Sequence, residues 1–221
     1  MISSTSNAKV KNIINLKKSA RARKKENCFL VEGPRMFFEI PKDRIAECYL
    51  TEEFADKYAE ELKGWRYELM SENVCRHLSD TKTPQGVIAV VRREEPSVEE
   101  LLNKEKNPCF FLLENLQDPG NLGTIIRTAE GAGVTGVIMN RDTVDIYNPK
   151  VIRSTMGAIF RVPFVIVDSL PEVISQLKQN SVAVYAGHLK GDVFYKQDYR
   201  GGSAFLIGHE GNGLTEEITA L

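Results

Sequence analysis

The sequence predicts an α/β protein in which a parallel-sheet domain follows a smaller α/β domain. Two observations carry this prediction. After residue 108, continuous apolar runs alternate with helical patterns, which is typical of a parallel sheet covered by helices on both faces. Before residue 94, apolar runs alternate with basic helical segments, and a charged stretch flanked by prolines separates the two parts. The chain has 221 residues, enough for two modest domains with cores of their own.

The first domain is expected over residues 1–93. It begins with a basic segment whose apolar residues recur at helical spacing and form a narrow face. Its apolar runs lie at 29–33, 45–50 and 86–91, and its helical candidates lie at 34–40, 52–63 and 71–79. This alternation suits a small α/β or α+β domain.

A linker is expected over residues 94–108, and the second domain over 109–221. In the linker, Ser97 and Glu100 have capping-box spacing, which predicts a short helix. The apolar runs of the second domain lie at 109–114, 134–140, 162–168, 182–187 and 203–208, and its helical patterns lie at 120–132, 148–160 and 170–179.

The first stretch that could carry chemistry is "LQDPGNLGTIIRTAEGAG", residues 116–133. Its apolar residues predict one buried helix face, at Leu122, Ile125, Ile126 and Ala129. Asn121 is a suitable N-cap, and Arg127 lies off the apolar face. Locally this pattern also fits an ordinary capped helix whose arginine pairs with a surface acid. Ligands of open α/β sheets, however, bind beyond the carboxyl ends of strands, and this stretch follows such an end.

The second stretch is "FLIGHEGNGL", residues 205–214, in which an apolar run leads into Gly208, Gly211 and Gly213. Glycines allow positive φ angles and let the backbone approach a ligand closely. The stretch is not a dinucleotide-binding fingerprint, because no GxGxxG follows the first apolar run of the second domain. An ordinary Rossmann cofactor site is therefore disfavoured, and a plain glycine-rich loop is the alternative.

The third stretch is "YNPKVIRSTMGAIFRVPF", residues 147–164. An Asn-Pro pair begins a helix well, since proline is tolerated in the first turn. The basic residues of the stretch are Lys150, Arg153 and Arg161, and its centre is small and flat. These features fit helix packing through the small residues, or equally a surface that meets a partner subunit or RNA.

The charge of the chain is unevenly distributed, although the net charge is -1. Eight cationic residues precede the first acidic residue, namely Lys9, Lys11, Lys17, Lys18, Arg21, Arg23, Lys24 and Lys25. A local basic stretch can bind nucleic-acid phosphates even on a near-neutral protein. The alternative is a solvated helix face whose acidic complement lies elsewhere in the fold.

Several classes of protein are disfavoured by the composition. The 4 cysteines are far apart and the 3 histidines are scattered, so we expect free thiols in a reducing compartment and no metal site. No apolar run approaches the roughly 20 residues that span a bilayer. The amino terminus lacks the apolar core of a secretion signal, and we expect a cytoplasmic protein.

Taken together, these stretches resemble the SpoU (TrmH-like) family of RNA 2'-O-ribose methyltransferases, in the SPOUT superfamily. Asn121, Gly123 and Arg127 resemble the first motif of that family. Residues 208–213 resemble the second motif, and 147–164 resembles the segment between the two. Residues 6–35 resemble the amino-terminal substrate-binding domain, which is like certain ribosomal RNA-binding proteins. The resemblance covers nearly the whole chain.

The resemblance implies methyl transfer from S-adenosylmethionine to a ribose 2'-hydroxyl of RNA, with ribosomal RNA as the expected substrate. It implies a homodimer and a parallel α/β domain with a trefoil knot at its carboxyl end. A third motif, with a Ser-Leu-Asn element, is expected beyond residue 221, so we expect the chain to be a fragment of a longer protein. The alternatives are a non-catalytic RNA-binding protein of the same fold and a metal-free hydrolase that uses Glu210.

The resemblance also assigns roles to individual residues. The catalytic residues are expected to be Arg127 and Asn121. The cofactor-binding residues are expected to be Gly208, Glu210, Gly211, Gly213, Ala186 and Gly187. RNA is expected to contact Lys9, Lys11, Arg21, Arg23, Lys24 and Lys25.

Overall fold

The computed structural model describes residues 1–188 and 191–221, which form two compact units. One unit contains Met1–Arg93 and Tyr147–Phe160, and the other contains Glu94–Ile146 and Arg161–Leu221. The expected division differs at two segments, since residues 147–160 belong to the first unit and the expected linker 94–108 is part of the second unit.

The first unit is built on a four-stranded mixed sheet. Its strands are β1 (Cys28–Glu32), β2 (Ile45–Leu50), β3 (Glu68–Leu69) and β4 (Val87–Arg92). They lie in the order β1-β4-β2-β3, with β4 antiparallel to both β1 and β2 and with β3 parallel to β2. Its first helices are α1 (Ala8–Lys18), α2 (Ala20–Glu26), α3 (Pro34–Phe37), α4 (Glu52–Lys57) and α5 (Glu72–Leu78), and Lys42–Arg44 forms a 3-10 turn.

The second unit is built on a five-stranded parallel sheet. Its strands are β5 (Cys109–Leu113), β6 (Gly136–Asn140), β7 (Phe164–Val167), β8 (Ala183–Ala186) and β9 (Ser203–Ile207). They lie in the order β7-β6-β5-β9-β8, and every neighbouring pair is parallel. The sheet confirms the predicted fold class, because each of the five apolar runs after residue 108 contains one strand.

Five more helices follow in chain order. They are α6 (Val98–Leu102), α7 (Pro119–Gly131), α8 (Pro149–Thr155), α9 (Leu170–Gln179) and α10 (Glu216–Thr219). α8 belongs to the first unit together with the 3-10 turn Ala158–Phe160, and the others belong to the second unit together with the 3-10 turn Phe194–Lys196. The capping box of Ser97 and Glu100 is present at the start of α6, as the spacing predicts.

Each unit has its own apolar core. In the first unit, the core includes Val10, Ile13 and Leu16 on the buried face of α1, packed with residues of the sheet and α5. In the second unit, strand residues such as Leu112 and Leu206 pack in a core with the apolar face of α9. Across residues 1–188 and 191–221, no helix combines the length and apolar character that a bilayer crossing requires.

The segment 147–160 is held in the first unit by aromatic and charged contacts. The ring centroid of Phe29 lies 4.9 Å from that of Tyr147 and 6.3 Å from that of Phe160. On α8, the Arg153 guanidinium lies 3.6 Å from the Asp80 carboxylate. Tyr147, Arg153 and Phe160 therefore pack within the first unit. Arg161 lies in the second unit, where its guanidinium pairs with Glu130.

Candidate active site

Two segments of the second unit meet at one edge of its sheet. β5 and β9 are adjacent and parallel, with Cys109 opposite Ser203 and Leu113 opposite Ile207. Their carboxyl ends therefore lie side by side, as do the segments that leave them. The chain runs from β5 to β6 and β7 on one side, whereas β9 and β8 lie on the other side. Such a reversal of strand order creates a crevice at which α/β proteins bind ligands.

The first of these segments leads from β5 into α7. Asp118 is the N-cap of α7, since its Oδ1 accepts a hydrogen bond of 2.8 Å from the Asn121 N–H, and Pro119 occupies the first helical position. The expectation that Asn121 caps the helix was wrong, because proline suits the first turn and the helix begins earlier. Asn121 is therefore the third residue of α7, and its side-chain amide is available for contacts outside the helix.

Glu210 joins the two segments. Its carboxylate accepts hydrogen bonds from the Gln117 N–H at 3.1 Å, the Asp118 N–H at 2.9 Å and the Asn121 Nδ2 at 3.2 Å. The donors lie 89 to 93 residues from Glu210 along the chain. One side chain after β9 therefore fixes the start of α7, which follows β5.

These contacts also set the charge of Glu210. Burial raises the pKa of the Glu210 carboxyl, but hydrogen bonds from the Asp118 and Gln117 N–H groups, its own N–H and the Asn121 amide outweigh that effect and lower the pKa to about 2. Glu210 is therefore ionised at neutral pH and is a very weak base. This property disfavours the hydrolase alternative, in which Glu210 would accept a proton.

The second segment is a tight turn closed by its own backbone. The His209 N–H donates to the Gly213 carbonyl at 3.0 Å, and the Gly213 N–H donates to the His209 carbonyl at 2.8 Å. Gly213 has a φ of +70°, and a Cβ atom on Gly208 would lie 2.3 Å from the Gly213 carbonyl carbon. Gly208 must be glycine because a side chain there would collide with the backbone at 213–214, whereas at Gly213 the positive φ favours glycine although the space around it is open.

The His209 imidazole supports the same turn. Its Nδ1 accepts hydrogen bonds from the Gly211 N–H at 2.9 Å and from the Asn212 N–H at 3.2 Å. With Nδ1 used as an acceptor, the neutral ring carries its hydrogen on Nε2. His209 therefore has a structural role in the turn.

Arg127 is exposed on α7. Among residues 1–188 and 191–221, its guanidinium makes no hydrogen bond and no ion pair. Among the described residues, no acidic side chain forms the ion pair with Arg127 that an ordinary surface helix would have. The guanidinium is consequently available to an anionic ligand.

Ala186 and Gly187 lie at the carboxyl end of β8, next to β9. Ala186 pairs with Leu206, and the Gly187 N–H donates to the Leu206 carbonyl at 3.3 Å. Both residues are exposed, and a Cβ atom on Gly187 would meet nothing closer than that carbonyl oxygen at 3.8 Å. The structure thus places them at the same edge of the sheet as the turn 208–213. Among the described residues, no group of three or more His, Cys, Asp or Glu side chains is placed to hold a metal ion.

Sequence reasoning missed three polar residues that shape this edge. The Gln117 side chain donates to the Asn115 carbonyl at 3.0 Å and to the Asp142 carbonyl at 2.6 Å. Asn115 has a φ of +56° and exchanges hydrogen bonds with the Asn140 side chain. The third, Glu114, is buried and contacts Thr215. The available signal was a run of polar residues directly after a buried strand.

The expected RNA-contacting residues lie on α1 and α2 of the first unit. Lys11, Arg21, Lys24 and Lys25 are exposed and make no ion pair with any described residue. Lys9 is exposed as well, but its ammonium pairs with Glu68 and lies 5.9 Å from the centre of the Tyr49 ring. We call these five residues the basic surface.

Arg23 does not belong to the basic surface. Its side chain is 4% exposed, and its guanidinium donates to the Leu16 carbonyl at 2.6 Å and to the Lys17 carbonyl at 3.2 Å. The carbonyls at the end of a helix lack partners within the helix, and Arg23 satisfies those of α1. Its expected contact with RNA is therefore corrected to a structural role.

Comparison with known proteins gives two family models that together cover most of the chain. Residues 108–221 match the model described as the SpoU rRNA Methylase family. Residues 7–89 match the model described as the MRM3-like substrate binding domain.

Individual relatives agree with these models. The chain is 34% identical to the Bacillus subtilis 23S rRNA (guanosine(2553)-2'-O)-methyltransferase RlmP, over 96% of this chain and 84% of that protein. It is 31% identical to the mouse mitochondrial rRNA methyltransferase 3, over 71% of this chain and 39% of that protein. Its structure is similar to that of the SpoU methyltransferase AviRb from Streptomyces viridochromogenes in complex with AdoMet, with a TM-score of 0.86 and 25% identity over 97% of this chain and 85% of that one.

Proposed function

The chain belongs to the SpoU rRNA methylase family, and we propose that it transfers a methyl group from S-adenosylmethionine to a ribose 2'-hydroxyl of ribosomal RNA. The observation that carries this proposal is the meeting of the two motif segments at the carboxyl ends of β5 and β9, where Glu210 joins them. The name of the Bacillus relative specifies 2'-O-methylation of a guanosine in 23S rRNA, which supports ribosomal RNA as the substrate class.

The edge of the sheet fits S-adenosylmethionine. Residues 186–187 and 210–213 are exposed there, and three of these six positions are glycines, which leave their backbone groups uncovered. We propose that Ala186, Gly187 and the turn 208–213 hold the cofactor through their backbone groups. Glu210 then acts by fixing the turn, since its carboxylate already accepts hydrogen bonds from Gln117, Asp118 and Asn121. When bound, the cofactor supplies an electrophilic methyl group on a sulfonium.

Transfer requires the 2'-oxygen in line with the methyl carbon and shielded from water. The 2'-oxygen would take the methyl group from the bound cofactor, which would leave as a neutral thioether, and the hydroxyl proton would pass to solvent. The guanidinium of Arg127 stays protonated and cannot accept that proton. We propose that Arg127 holds a phosphate or the ribose oxygen and stabilises the negative charge that develops on the oxygen. Asn121 would orient the same region, since it lies on the same helix and is fixed by Glu210.

The basic surface would bring RNA to the protein. Lysine and arginine side chains bind phosphates without reading sequence, and structured RNA is recognised mainly by shape, unpaired bases and the 2'-hydroxyl. Residues 1–93 would thus bind RNA, and 109–221 would carry the transfer. From the family resemblance we also propose a cytoplasmic homodimer with a knotted carboxyl end in the full-length protein.

A methylation assay on the full-length protein tests this proposal. Ribosomal RNA from a strain that lacks the gene is incubated with the protein and S-adenosylmethionine carrying a labelled methyl group. We expect label at one ribose, and the phosphodiester after it should resist alkali because its 2'-oxygen is blocked. Absence of label, or label on bases alone, would refute the proposed function.

A further inference from the structure

Glu114 is a buried residue that the family motifs do not include. It directly follows β5 and is 5% exposed. Its N–H donates to the Ile207 carbonyl at 2.9 Å. A buried charge is unfavourable unless it is paired or hydrogen-bonded. The position therefore calls for strong donors close by.

Thr215 supplies both donors. Its N–H donates to Oε2 of Glu114 at 2.8 Å, and its hydroxyl donates to Oε1 at 2.6 Å. The same hydroxyl accepts from the Ile218 N–H at 3.3 Å and so caps α10. Hydrogen bonds to an ionised acceptor are roughly twice as strong as neutral ones. Glu114 thus fixes Thr215, which lies two residues beyond the turn 208–213.

The turn is consequently held at both of its ends. β9 fixes its start by pairing with β5, and Thr215 fixes its end through Glu114. Within the turn, the close approach of Gly208 to Gly213 leaves little freedom for movement. Each segment also contributes a carboxylate that binds the other: Glu210 of the second segment accepts hydrogen bonds from the first, and Glu114 of the first accepts them from Thr215.

We infer that Glu114 is a positioning residue for the cofactor site, acting through Thr215 on the turn 208–213 without touching the cofactor. This inference rests on the proposed function, which assigns S-adenosylmethionine to that turn. A glutamine at position 114 keeps the shape of the side chain but loses its charge and replaces one acceptor by a donor. It should therefore loosen the turn and weaken cofactor binding while the rest of the sheet stays intact.

The test compares four variants of the full-length protein. Glu114→Gln and Thr215→Val each remove part of the contact, Thr215→Ser keeps the hydroxyl, and Glu216→Gln makes the same chemical change at an exposed neighbour on α10. The measurements are the Kd for S-adenosylmethionine by calorimetry, kcat and the KM for RNA, and the thermal midpoint.

We expect Glu114→Gln and Thr215→Val each to raise the Kd for S-adenosylmethionine by about tenfold, the loss of one charge-assisted hydrogen bond. At saturating cofactor, kcat and the KM for RNA should stay within about twofold. The double variant should be little worse than either single one, because both remove the same contact. Thr215→Ser and Glu216→Gln should bind the cofactor as the wild type does.

An unchanged Kd in a folded Glu114→Gln protein would overturn the inference, and so would strictly additive effects of the two substitutions. A fall in thermal midpoint without a change in Kd would make Glu114 merely structural. If Glu114→Gln fails to fold, the difference in Kd between Thr215→Val and Thr215→Ser decides the question. A wild-type protein that does not bind S-adenosylmethionine would instead refute the proposed function itself.

Discussion

The candidate active site and the basic surface are built in opposite ways. At the site, Glu210 and Glu114 each hold specific donors on a segment about 90 to 100 residues away in the chain. On the basic surface, Lys11, Lys24 and Lys25 make no ion pair with any described residue. A preorganised site loses much of its activity when a single group changes, whereas a surface of separate positive charges loses RNA affinity by a small amount with each charge removed. The two regions should therefore respond very differently to single substitutions.

Arg127→Ala should have the largest effect and would sharpen the contrast most. Loss of one group that stabilises developing charge lowers kcat by about 100- to 1,000-fold. The Kd for S-adenosylmethionine should stay within about twofold, because no backbone group of the turn is altered. Single-turnover methylation and calorimetry on the full-length protein measure the two quantities. Arg200→Ala removes a guanidinium that already pairs with Asp198 and provides the control. Unaltered turnover in Arg127→Ala would contradict the proposed role.

Gly208→Ala should act on the cofactor instead of on the chemical step. The added Cβ atom would lie 2.3 Å from the Gly213 carbonyl carbon and 2.4 Å from the Leu214 nitrogen, so the turn must open. We expect the Kd for S-adenosylmethionine to rise at least about tenfold, the change that follows from losing roughly one well-placed hydrogen bond. Gly201→Ala is the matched control, since a Cβ atom there meets no atom within 4 Å. Normal cofactor affinity in Gly208→Ala would show that the turn is more adaptable than its contacts indicate.

The sequence predicted the strands and helix that surround this site better than it predicted the hydrogen bonds within it. Continuous apolar runs marked every strand of the second sheet, and the spacing of α7 placed Arg127 off its buried face. The partners of Glu114 and Glu210 could not be predicted, because they depend on β9 lying beside β5, and strand order is not encoded in local pattern. Arg23 was misassigned for a similar reason, since its burial follows from the way α2 folds back on the end of α1.

The joining role of Glu210 can be tested through pH. The pKa of its carboxyl is lowered in the folded protein to about 2 from an ordinary value of 4.5. A lowered pKa stabilises the fold above the ordinary value and loses that contribution as the pH falls towards the folded value. The wild type should therefore have a higher thermal midpoint than Glu210→Gln at pH 7, and the gap should narrow between about pH 4.5 and pH 2. A gap that stays constant over this interval would mean that the charge of Glu210 does not hold the two segments together.

Charge reversal on the basic surface should give the smallest loss of function of these variants. A large loss would contradict the contrast between the two regions. Lys24→Glu with Lys25→Glu removes two exposed cations at the end of α2. If each lysine contacts one phosphate, the slope of log K for RNA against log salt should become shallower by about one per lysine.

The control is charge reversal at Lys104 and Lys106, which are exposed, lie outside α1 and α2, and give the same change in net charge. A control pair that lowers affinity equally would indicate attraction by net charge alone. An unchanged slope for Lys24 and Lys25 would remove this end of α2 from the proposed RNA interface, whereas abolished binding would show that the basic surface is as specifically organised as the active site.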